Sequence, residues 1–74
     1  MTEQLNESKK LVAIATDLKL SAGLRTTAIE SLGNIGTHDA LLALLELAAN
    51  EKLLKGEREL ALKQARGIIR STQQ

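Results

Sequence analysis

His38 and Asp39 are the one adjacent imidazole and carboxylate pair in this 74-residue chain. General acid–base chemistry needs a positioned partner within hydrogen-bond reach, and sequence neighbours at a helix start project in different directions. The pair therefore reads as a turn residue followed by an acid that complements the helix dipole. A lone His with scattered carboxylates and no Cys makes a poor metal site. The glycines of LGNIG lack the preceding strand and the following Lys-Ser/Thr of a phosphate-binding loop. Close packing at Gly33 and a helix stop at Gly36 are the expected roles. No catalytic or metal-ligating residue and no cofactor is assigned, and the chain is not expected to be an enzyme.

Nucleic acid is an equally poor fit. A helix-turn-helix reading of TTAIESLGNIGTHDALLALLELA fails at its second helix, because Ala40 to Leu47 offers almost no side chain able to reach base edges or phosphates. The formal net charge is +1, with acids and bases mixed throughout, so neither nucleic acid nor anionic lipid has an electrostatic footprint here. Without Phe, Tyr or Trp there are no stacking platforms for bases. The longest apolar run, Ala40 to Leu45, is far short of the roughly 20 residues that span a bilayer. The start MTEQLNESKK has acids and amides where a signal peptide has a basic and then an apolar segment, so a cytoplasmic protein is expected.

A chain this short is one domain, and it hides only about 60% of the surface that its unfolded form exposes. With no Cys there is no disulfide to add stability. Five Gly and no Pro favour helices stopped at a few points. The apolar spacing predicts an all-α domain over 1–74 with helices at about 3–18, 22–35, 38–49 and 57–70, and a frayed tail at 71–74. The first helix carries a stripe of Leu11, Ile14, Ala15 and Leu18. The second, capped by Ser21, continues through Leu24, Ala28, Ile29, Leu32 and Ile35. Thr37 caps the third helix, with Asp39 in its first turn, and the fourth turns Ala61, Leu62, Ala65, Ile68 and Ile69 inward.

Shifted by 33 residues, the chain matches itself: Leu11 falls on Leu44, Ala15 on Ala48, Lys19 on Lys52, Leu20 on Leu53, Gly23 on Gly56, Arg25 on Arg58, Ala28 on Ala61 and Ile35 on Ile68. These coincidences run through a helix, a turn and the next helix in one register, as in an internal repeat. The segment LRTTAIESLGNIGTHDALLALLELA resembles one unit of the HEAT-like repeats of phycobilisome lyases and many other bacterial and archaeal proteins, approximately VRxxAxxALGxIGDxxAxxxLxxxL. Leu24, Arg25, Ala28, Leu32, Gly33, Ile35, Gly36, Ala40 and Leu44 fit that pattern. Thr37 replaces the usual turn Asp, and His38 stands where the family often has Pro. The second copy fits at Arg58, Ala61, Leu62, Ala65 and Ile68 but departs at Arg66 and Gly67.

The resemblance implies a short α-solenoid of four antiparallel helices, about two repeats, that serves as a binding scaffold; a minority of the family is tied to chromophore attachment. It also implies that Arg25 and Arg58 brace the turns, with guanidinium groups near Asp17, Asn50 or free helix carbonyls. In such repeats the second helix of each unit lines the concave side. That places Lys9, Lys10, Ala13, Thr16 and Asp17 of the first helix beside Leu42, Ala43, Glu46, Ala49 and Asn50 of the third, a face that suits a partner helix or a partly solvated surface. A second possibility is a homodimer through open solenoid ends, for which Leu5 and Leu60 are the candidates.

Overall fold

The computed structural model describes the backbone of residues 2–72 and the side chains of residues 7–71. The described residues form four helices and no strand: α1 (Thr2–Ala15), α2 (Ala22–Ile35), α3 (His38–Ala49) and α4 (Lys55–Thr72). The expected all-α class is what the structure shows. Leu5 has its side chain outside the described residues, as do Gln73 and Gln74 entirely, whereas Ser71 and Thr72 of the expected tail belong to α4.

Helix boundaries follow from local hydrogen bonding. α1 stops at Ala15 rather than near Leu18 because Asp17 forms an Asx turn, its Oδ1 accepting from the Lys19 N–H at 3.0 Å while its carbonyl accepts from the Leu20 N–H at 3.1 Å. Leu18 is thereby removed from the stripe and is 54% exposed. Ser21 opens α2 by accepting from the Leu24 N–H at 3.2 Å, and Thr37 opens α3 by accepting from the Ala40 N–H at 3.1 Å. Between them Gly36 closes α2 at φ 69°, the left-handed conformation that a residue with a Cβ avoids.

The turn after α3 repeats the turn after α1, bond for bond. Asn50 Oδ1 accepts from the Lys52 N–H at 2.9 Å and the Asn50 carbonyl accepts from the Leu53 N–H at 3.2 Å. The flanking bonds match too: Asp17 N–H to Ile14 and Asn50 N–H to Leu47 before the turn, Arg25 N–H to Ser21 and Arg58 N–H to Leu54 after it. α4 then starts at Lys55, two residues before the expected position, because the Glu57 side chain reaches back and Oε1 accepts from the Leu54 N–H at 3.2 Å.

Both α1 and α4 pack against α2 and α3, α2 packs on α3, and among the described residues α1 and α4 do not approach each other. The core is Ile29, Leu32, Leu44, Leu47, Leu53 and Ile68 with five alanines interspersed. Small residues let the helices close in: a Cβ added at Gly33 of α2 would lie 3.1 Å from the Gln64 Cβ of α4. Several expected inward residues are not covered. Leu24, Leu62, Ile14 and Ile69 are 53%, 42%, 37% and 37% exposed, while Leu60, expected outside the stripe, is half-buried against the core. Helical spacing picks out an apolar face, and these side chains stand at its exposed margins.

Adjacent leucines of α3 separate burial from composition, since Leu44 is fully buried and Leu45 is 39% exposed. Leu44→Ala should cost about 2–5 kcal/mol, enough to unfold much of the population, whereas Leu45→Ala should cost under about 1 kcal/mol. Urea titrations followed by circular dichroism at 222 nm would read both.

Candidate functional site

The face of α1 and α3 forms a groove of about 440 Å³ lined by Ser8, Lys9, Val12, Asp39, Leu42, Ala43 and Glu46. α1 contributes Lys9 and the half-buried Val12; α3 contributes Ala43, the 48% exposed Leu42, and two carboxylates. The result is an apolar strip with a cation on one helix and anions on the other. Val12, Asp39 and Ser8 join the site although the sequence pattern did not select them for it. For Asp39 and Ser8 the signal is position alone: Asp39 precedes Leu42 by three residues and Ser8 precedes Val12 by four, so each shares a helix face with an apolar groove residue.

Lys9, Leu42, Ala43 and Glu46 are thus brought together, and the remaining candidates are placed elsewhere. Lys10, Ala13 and Ala49 are exposed and do not line the groove. Thr16 donates its hydroxyl back to the Val12 carbonyl at 2.8 Å. Asp17 and Asn50 direct their side-chain oxygens into the two Asx turns. These last two shape the connections between helices, and a partner would have to break the turns to use those oxygens.

Arg25 and Glu57 form the one ion pair among the described residues, with side chains only 8% and 5% exposed. Arg25 donates from Nε at 2.9 Å to Glu57 Oε2, places Nη2 2.8 Å from the same oxygen, and donates from Nη1 to the Leu20 carbonyl at 2.6 Å. Glu57 Oε1 stays available for the Leu54 N–H. The guanidinium therefore ties the first turn to the start of α4, and no buried side-chain nitrogen or oxygen among the described residues lacks a partner. Of the expected partners of the arginines, Asp17 and Asn50 take no part, and backbone carbonyls do. Arg58 donates from Nε at 2.9 Å to the Ala48 carbonyl in the last turn of α3, where carbonyls have no helical donor.

Gly33 and Gly36 lie at the α2–α4 approach and at the α2 stop, away from the groove. His38 is exposed at the first residue of α3. No group of three or more His, Cys, Asp or Glu among the described residues could hold a metal ion, and no helix of the structure is long and apolar enough to cross a membrane. Comparison with protein-family models, with curated proteins and with solved structures returns no match.

Removing one member of a buried ion pair strands the other, at a cost of about 3–5 kcal/mol. Glu57→Ala should therefore destabilise the fold by about that amount. The double variant Arg25→Met with Glu57→Leu should be clearly more stable than Glu57→Ala, because no charge is left behind. Equilibrium urea unfolding of the single and double variants measures the difference.

Proposed function

We propose that this protein is a non-catalytic protein–protein interaction module, a short HEAT-like α-solenoid that binds a partner helix along the groove between α1 and α3. The observation that carries the proposal is the groove itself: Leu42 stands open to solvent beside Val12 and Ala43, with Lys9 on one helix and Asp39 and Glu46 on the other. An amphipathic helix laid there would bury apolar side chains on Leu42 and meet charges of both signs along its flanks. The two turns with matching hydrogen bonds, 33 residues apart, support the repeat reading, as does the contact pattern in which α1 and α4 stay apart. A cytoplasmic setting goes with this reading and suits a chain without cysteine.

The groove can be challenged with a displayed library of amphipathic helical peptides selected against the native chain. Peptides that bind it should lose at least about tenfold in affinity for Leu42→Lys with Glu46→Lys, the equivalent of about 1.4 kcal/mol. Both positions are exposed, so circular dichroism of the double variant should match the native chain. Selected peptides that bind native and variant chains equally would remove the groove as the binding face.

A further inference from the structure

A second surface, on the far side of α4, repeats a pattern that the molecule covers inside itself. On α2 the stripe Arg25, Ile29 and Gly33 is closed by α4: Glu57 holds Arg25, Gln64 approaches Gly33, and Ile29 between them is 0% exposed. Thirty-three residues later the same helical stripe of α4 reads Arg58, Leu62 and Arg66. Leu62 is 42% exposed, Arg66 is exposed and Arg58 is half-buried. The second helix of each unit agrees. Fully buried Ala15 corresponds to half-buried Ala48, which shares a hollow of about 290 Å³ with Arg58 and Leu62.

We propose that this α3–α4 edge receives a helix of another protein, lying on α4 as α4 lies on α2, with a carboxylate in its first turn for the terminal nitrogens of Arg58, whose Nε donates to the Ala48 carbonyl. By the internal correspondence the partner helix has a small residue four positions after that carboxylate, as Ala61 follows Glu57. Seven positions after it, where Gln64 faces Gly33, the partner meets Arg66 and carries a second acid. A copy of this chain is the wrong occupant. Its helix corresponding to α4 is α2, which offers Leu24 and Ser31 at those two positions. Docking a copy would bury the Arg58 guanidinium against an aliphatic side chain, which is strongly unfavourable.

The geometry also shows how a single change would make the copy fit. Leu24 is the third residue of α2, as Glu57 is of α4, and it is 53% exposed. Glu57 uses one oxygen on its own helix start and the other on Arg25, so a carboxylate at position 24 can cap α2 and still present its second oxygen outward.

The test uses the full chain and its Leu24→Glu variant as the probe, in sedimentation equilibrium with interference optics up to high micromolar concentration. The native chain and Leu24→Gln should remain monomeric, and Leu24→Glu should associate head to tail in a concentration-dependent way. Adding Arg58→Ala should weaken that association by at least about thirtyfold, while Leu42→Lys with Glu46→Lys should leave it intact. Circular dichroism confirms that each variant is helical. A monomeric Leu24→Glu chain, association that survives Arg58→Ala, or association of the native or Leu24→Gln chain lost on Leu62→Lys would each overturn the proposal.

Discussion

A guanidinium can leave water only where its charge is answered and each of its nitrogens finds a partner, and Arg25 meets that condition through one glutamate and one carbonyl. The requirement couples distant parts of the chain. Glu57 must stand at the third residue of α4 for its second oxygen to reach the Leu54 N–H, and Leu20 must present its carbonyl from the turn after α1. The placement of α4 on α2 is thereby tied to the turn at Leu20, 37 residues before Glu57. Hydrophobic contact between two helices is tolerant of sliding; an ion pair held at 2.8 and 2.9 Å is not.

The same pair explains a division of labour between the two helix starts. In a capping box the first residue's side chain bonds forward and the fourth residue's side chain bonds back. Here Ser21 supplies the forward bond at α2, and Glu57 supplies the backward bond at α4. Ser21 corresponds to Leu54 and Leu24 to Glu57, so each start keeps half of the motif. The half with the carboxylate sits where a cation from the preceding helix pair has to be neutralised.

Much of this architecture was legible in the residues. The four helices, the Ser21 and Thr37 caps and the Gly36 stop each rest on short-range chemistry, and short-range chemistry is what a sequence displays. The placement of side chains at the margins was not. Leu24 and Leu62 carry the helical spacing of core residues, and their exposure is decided by where the other helices pack rather than by any property of the stripe. Glu57 was read only as the opening of a helix, although the 33-residue register sets it against Leu24 while the adjacent arginines align. A carboxylate that replaces an apolar residue beside an aligned Arg was the signal. On the groove the sequence favoured a broad face, and the structure narrows it because Asp17 and Asn50 form the turns.

The composition of the core raises the importance of what covers its edges. Five of the eleven apolar core residues are alanines, which allow close helix approach but contribute little buried area apiece. Scaffolds of this size draw no more than about 3–5 kcal/mol from a single core. Ligand binding at a hundredfold excess over its dissociation constant adds about 2.7 kcal/mol to the folded state, a comparable amount. Leu42, Leu45 and Leu62 are three of the large apolar side chains left open, and they lie at the groove and along α3 and α4. A partner helix covering them would convert exposed leucine surface into folding free energy, so on the proposed reading binding and folding are thermodynamically linked.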